Sequence, residues 1–336
     1  MSSPLTAGVK AILRLLIGWA LYLQGQAEHH MRHKVHRRAN GNVPLQVANW
    51  CADDIWPGII TQGGNGPSTT GFHLSAGANQ SLTVASNWQG RVWGRTNCTF
   101  GNSNNGGSGS ACETGDCGGS LQCLIAGAPP ATLAEFTLHG SESSTFYDIS
   151  LVDGYNLPMA IMLMPNGNSQ LQALSPSKTN PSCVGSVGDL AGQNFNPYSG
   201  GQQFLGTSSS DPLPFQLSSS ASDVTDWCPW DLQVNAPTGP GNGIYSYPDT
   251  NVQRPVFDPC LSACAKYNSD NYCCTGNYDG PSDCQANYYS KSAKNVCPDA
   301  YSYAYDDQDS TFSVPQGGGF QVIFCPGGRS TTILSS

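Results

Sequence analysis

Fourteen cysteines constrain this chain more than any other feature. The count is even and far above what a reducing compartment usually carries, which points to disulfides and an oxidising environment. Metal binding is the rival reading. Cys260 and Cys264 have zinc-like spacing, but Cys273 and Cys274 are adjacent, and no histidine lies between Cys98 and Cys123 or after His139, so the pattern is a poor zinc framework. Seven bridges would use every cysteine, yet fourteen allow on the order of 10⁵ pairings. Spacing alone leaves the connectivity open.

The N-terminus agrees with export. Lys10 and Arg14 introduce an apolar stretch over residues 13–23, which runs into Gly25-Gln26-Ala27. That layout predicts a signal peptide over residues 1–27, cleaved after Ala27, and the stretch is too short to serve as a membrane anchor. Residues 28–38 form a basic, His-rich piece ending in Arg37-Arg38. His29, His30, His33 and His36 could form a metal tract, but a discarded pro-segment is the preferred reading. The chain left after residue 38 carries eight basic and twenty-two acidic side chains, a net charge of −14. Such a balance disfavours nucleic acid and anionic membranes and leaves neutral ligands open. No cofactor and no metal is implied, because no glycine-rich phosphate loop sits in a strand–helix setting. The sequon Asn79-Gln80-Ser81 makes Asn79 a glycosylation candidate; Asn97-Cys98-Thr99 is weaker because Cys98 is expected to bridge.

Charged residues make up only 11% of the chain, while glycines number 39 and prolines 23, the mixture of a β-rich, turn-rich protein. Short alternating runs at 81–84, 91–95, 132–138 and 320–324 read as strands. Asn166-Gly167 and Asp153-Gly154 mark turns. The best helix candidate covers 258–267, with Pro259 in the first turn and Cys260 and Cys264 on one face. Residues 184–227, rich in Ser, Gly, Asn and Gln, read as a long insertion. Cysteines then crowd over 228–297, which suggests a small disulfide-knit subdomain beside a β core. Within 132–138, Ala134, Phe136 and Leu138 alternate with Leu133, Glu135 and Thr137; if the first set faces the core, Glu135 points to the opposite surface. Along 146–151, Tyr147, Ile149 and Leu151 fill one face and Asp148 the other. Pairing of these strands would place Glu135 and Asp148 together, and two carboxylates on one groove can divide the roles of acid and base. Tyr155, Tyr198, Trp227 and Trp230 are candidate sugar-stacking aromatics, although core filling is the commoner use.

Five segments, in order, closely resemble the blocks of thaumatin-like proteins: Arg91-Val92-Trp93-Gly94-Arg95-Thr96-Asn97-Cys98, the run from Cys112-Glu113-Thr114-Gly115-Asp116-Cys117 through Gly118-Gly119-Ser120-Leu121-Gln122-Cys123, Leu133-Ala134-Glu135-Phe136, Tyr147-Asp148-Ile149-Ser150-Leu151-Val152-Asp153-Gly154, and Cys297-Pro298-Asp299-Ala300-Tyr301-Ser302-Tyr303. The resemblance implies an all-β fold, a flattened antiparallel β-sandwich of about ten or eleven strands, with a smaller disulfide-rich second domain. On this reading the core domain is 39–182 with 298–336, and the second domain is 183–297. The implied bridges are Cys51–Cys325, Cys98–Cys112, Cys117–Cys123, Cys183–Cys297, Cys228–Cys260, Cys264–Cys273 and Cys274–Cys284. Plant members commonly carry sixteen cysteines; Val314 stands at one missing position and the other falls near Lys178. Ser108 and Ser110 replace glycines that usually open the signature. The acidic charge and long insertion look more like fungal members.

Family members with glucan-directed or antifungal activity have an acidic interdomain cleft, and its positions match Arg91, Glu135, Asp148, Asp153 and Asp307. Asp306 is the alternative to the last. The resemblance thus implies a secreted, monomeric, extracellular or wall-associated hydrolase whose partner is β-1,3-glucan. Glu135 would act as general acid and Asp148 as nucleophile or base, while Arg91, Asp153 and Asp307 bind and shape the field. A non-catalytic β-glucan-binding or antifungal protein is the alternative. A third reading, sweet-receptor binding, conflicts with the net charge. Ser-His-Asp catalysis has no supporting serine motif.

Overall fold

A computed structural model of the protein describes residues 41–51, 53–101, 110–183, 228, 232, 234, 259–306 and 310–326. The signal peptide, the pro-segment, the 184–227 insertion and Asp307 lie outside the described residues. Among those described, the strands are β1 (Asn42–Asn49), β2 (Gly58–Gly63), β3 (Asn79–Ala85), β4 (Gln89–Trp93), β5 (Leu133–Thr137), β6 (Ser144–Ser150), β7 (Met159–Met164), β8 (Ser182–Cys183), β9 (Phe312–Pro315) and β10 (Gly319–Phe324). They form two five-stranded sheets, ordered β3-β1-β10-β7-β8 and β2-β4-β5-β6-β9. Pairing is antiparallel throughout, except that β1 and β10 run parallel.

Period-2 alternation explains how the sheets meet. Val43, Leu45, Val47, Ile161, Phe320 and Val322 of the first sheet join one buried cluster with Ile59, Val92, Ala134, Phe136, Tyr147 and Ile149 of the second. Phe320 is the central contact, with ring centroids 5.3 Å from Phe136 and 4.9 Å from Tyr147. Val314, at the position of an absent cysteine, is buried in this same cluster.

The cysteines pair as Cys51–Cys325, Cys98–Cys112, Cys117–Cys123, Cys183–Cys297, Cys228–Cys260, Cys264–Cys273 and Cys274–Cys284, with none free. These are the pairs implied by the family resemblance. Cys51–Cys325 ties the segments just beyond the ends of parallel neighbours β1 and β10. Four short helices are described: α1 (Ser169–Gln172), α2 (Ala263–Tyr267), α3 (Asp270–Cys273) and α4 (Tyr288–Val296).

One helix expectation needs correction. Helix α2 starts at Ala263, where the Ser262 side chain caps it by accepting from the Ala265 amide. Pro259 therefore lies outside the first turn. Cys260 is held instead by reciprocal 2.9 Å backbone bonds with Tyr155, so it shares no helical face with Cys264. The same crossing explains the Asp153-Gly154 turn. Gly154 has φ +94°, and a Cβ there would lie 2.2 Å from the Cys260 carbonyl oxygen. Only glycine tolerates both that dihedral and that approach.

Candidate functional site

Strand register builds the candidate site. On the second sheet Arg91 of β4 stands opposite Glu135 of β5, and Glu135 stands opposite Asp148 of β6. The three form one cross-strand row on the face away from the sandwich core, because their neighbours Val92, Ala134, Phe136, Tyr147 and Ile149 all point inward. Directly opposed side chains in neighbouring strands lie close enough to interact. Arg91 Nε and Glu135 Oε1 make an ion pair. Asp148 faces Glu135 directly from the neighbouring strand.

The row is not an open groove. Arg91 is 3% exposed, Glu135 0% and Asp148 4%, which corrects the expectation that Glu135 points to a surface. Alternation sorts side chains to two sides of a strand but does not say whether both sides are covered. Here they are, and every residue of β5 is buried. On the same face as the row, Trp93, Leu133 and Ile60 pack under the Cys117–Cys123 bridge and Ala131.

Burial dominates the electrostatics. It pushes the Glu135 carboxyl above its ordinary range, opposed above all by the Arg91 charge. Burying ionised carboxylates is costly, and this shift favours the neutral form of Glu135.

The remaining sequence candidates lie outside these three strands. Asp153 lies beyond the end of β6, half-buried. Together with burial, which acts more strongly, its charge raises the phenol of Tyr289 well above the ordinary tyrosine range, so it sits toward α4. Asp307 is outside the described residues. Its neighbour Asp306 is committed elsewhere: its Oδ2 accepts from Lys294 Nζ at 3.1 Å, the Ser302 amide at 3.0 Å and the Ser302 hydroxyl at 2.8 Å. That makes it a loop anchor in place of a substitute for Asp307. Tyr155 is buried, stacked on Tyr289 at 6.3 Å, so it offers no platform to a sugar. Tyr198, Trp227 and Trp230 are outside the described residues.

Ser150 is the residue that the sequence reading passed over. It shares the strand face of Asp148, two positions on, is fully buried, and works against burial to lower the Glu135 pKa. The same two-residue spacing that placed Asp148 could have found it. His139 is paired with Gln316, and His73 with Asp54 at 2.7 Å on the surface. Asn79 is exposed at the start of edge strand β3. Among the described residues no group of three or more His, Cys, Asp or Glu side chains is placed to hold a metal ion. None of the described helices is long and apolar enough to cross a membrane.

Comparison with known proteins agrees with the blocks and the bridges. Residues 49–326 match the model of the Thaumatin family. Thaumatin-like protein 1 of Pyrus pyrifolia is 37% identical over 289 residues, covering 85% of this chain and 91% of that protein. Pathogenesis-related protein 5 of Arabidopsis thaliana is 38% identical over 280 residues, covering 83% and 89%. Among solved structures, a laminaripentaose-producing β-1,3-glucanase in complex with laminaritetraose aligns over 85% of this chain and 99% of its own, at 12% identity and a TM-score of 0.37. Nothing about activity follows from a likeness at that level. With a family match across most of its length, and relatives of similar span, this chain belongs to the thaumatin family.

Proposed function

We propose that this is a secreted protein that binds β-1,3-glucan without cleaving it, with a glycan on Asn79. The burial of the row carries the non-catalytic part: Glu135 is 0% exposed, Arg91 3% and Asp148 4%. A general acid must come within about 2.6–3.2 Å of the oxygen it protonates, and carboxyls enclosed to this degree offer a glycosidic oxygen no such approach. The glucan ligand is supported by membership of the family and by the match of Arg91, Glu135, Asp148 and Asp153 to the family's glucan-directed positions. Seven disulfides suit an oxidising, extracellular setting.

One observation favours hydrolysis as a second reading. Glu135, pushed toward its protonated form, lies beside a second carboxylate, which is how an acid and a base divide their roles. Retention on insoluble β-1,3-glucan, measured beside release of reducing ends from laminarin, separates the two. Retention without product is the expected result. Product released by the natural protein and lost in Glu135→Gln would replace the first reading with the second, and neither retention nor product would overturn both.

A further inference from the structure

We propose that tyrosines 267, 272 and 288 form a second polysaccharide-binding surface, separate from the Arg91–Glu135–Asp148 row, which takes a neutral β-glucan chain. Its ligand class rests on the glucan reading above; the surface itself does not. Helix α2 ends at Tyr267 because Asn268 turns left-handed at φ +49°. The Cys264–Cys273 bridge then ties α2 to α3, and Tyr272 comes beside Tyr267 with ring centroids 5.9 Å apart and planes tilted by 44°. Tyr288 is the first residue of α4, where Asn287 caps the helix by accepting from the Ser290 amide at 3.1 Å. Its ring meets Tyr272 edge-on, at 6.2 Å and 74°. Tyr272 is half-buried against the core, while Tyr267 is 47% exposed and Tyr288 40%. The result is a central anchored ring flanked by two partly exposed rings, on a frame pinned by Cys264–Cys273 and Cys274–Cys284.

The chemistry around the rings selects the ligand. Among the described residues, exposed side chains next to the rings in sequence include Lys266, Asn268, Asp270, Asn271 and Lys291, amides and mixed charges suited to sugar hydroxyls. The core of a protein interface, by contrast, is depleted of charge. Two lysines and one aspartate build no single-sign field, and the acidic mature chain as a whole repels polyanions. Tyrosine supplies a rigid amphipathic face at low entropic cost, the match for the apolar face of a pyranose ring. The tilts narrow the choice further. Flat β-1,4-linked ribbons call for coplanar rings, while a β-1,3-linked chain curves into a helix and presents successive faces at angles, as these rings do.

The test is retention on insoluble β-1,3-glucan, cellulose and xylan by the natural protein, the Tyr267→Ala/Tyr288→Ala double variant and the Tyr267→Phe/Tyr288→Phe double variant. Loss of two stacking faces should weaken β-1,3-glucan binding by at least about tenfold, with the phenylalanine variant retained like the natural protein. Equal retention of the alanine variant, or equal loss in the phenylalanine variant, would overturn the proposal. Tyrosine-dependent retention on cellulose or xylan alone would support the surface and overturn the glucan reading. Retention of the natural protein on none of them would overturn both. Should the alanine variant not fold, titration of the natural protein with laminari-oligosaccharides decides: ring-proton shifts at Tyr267 and Tyr288 support the surface, and unmoved signals refute it.

Discussion

Replacing Arg91 by leucine removes the cation that offsets two buried carboxylates while keeping an apolar side chain of compatible size. Arg91 and Glu135 are ion-paired, Asp148 stands opposite Glu135 on the next strand, and each of the three is at most 4% exposed. No solvent is at hand to take over from the guanidinium. Breaking a buried pair by removing one partner costs about 3–5 kcal/mol, and that is the loss of unfolding free energy expected near neutral pH. The sign of its pH dependence follows from the direction of the Glu135 shift. Its folded-state value lies above its unfolded one, so the folded protein holds more protons and its stability falls as pH rises through that interval. Without Arg91 the folded-state value rises further, and the penalty grows with pH. Below the ordinary carboxylate value Glu135 is neutral in either state, and the variant should recover much of its deficit. The assay is denaturant unfolding of the disulfide-intact protein at several values between about pH 3 and 7, the window that brackets ordinary carboxylate titration. A second variant, Arg91→Leu with Glu135→Leu, removes the stranded charge along with the cation and should regain stability relative to Arg91→Leu alone. A deficit below about 1 kcal/mol, the level of an exposed pair, or one that does not change with pH, would refute the buried-row argument.

Two further substitutions test how the covering segments are held. Gly154→Ala should destabilise by about 1–3 kcal/mol or more, since the alanine would meet both a positive φ and the Cys260 carbonyl; a melting temperature equal to that of the natural protein would contradict the crossing. Arg95→Lys should cost about 2–4 kcal/mol by stranding buried carbonyls, because the Arg95 guanidinium donates to the carbonyls of Trp56 at 2.7 Å, Ser120 at 2.7 Å and Leu121 at 2.8 Å. Burial lowers its own pKa to about 10, against a raising effect from Asp116. Protease nicking within residues 117–125 of the lysine variant, absent from the natural protein, is the accompanying readout.

The blocks around Trp93, Cys117, Glu135 and Asp148 were enough to place the chain in its family, and it was that resemblance, not cysteine spacing, that implied the seven bridges. Alternation in 132–138 and 146–151 also sorted Glu135 and Asp148 away from the core side, because side-chain direction in a strand is a local property of the backbone. What covers the other side is not local. Nothing in the spacing of Leu133, Glu135 and Thr137 reveals that the whole of β5 is enclosed. The same holds for Asp306, drawn to Lys294 and Ser302, and for Tyr155, whose strand-like neighbours do not show that Cys260 and Tyr289 pack against it. Helix α2 begins where Ser262 caps it, and not where Pro259 would allow, because Cys260 is taken by a backbone bridge from a segment more than a hundred residues away. The sequence by itself determined which residues share a strand face and which cysteines belong to the scaffold. Only the tertiary structure decided that the charged row is sealed while Tyr267 and Tyr288 stay partly exposed, since desolvation depends on what the rest of the chain stacks above a residue.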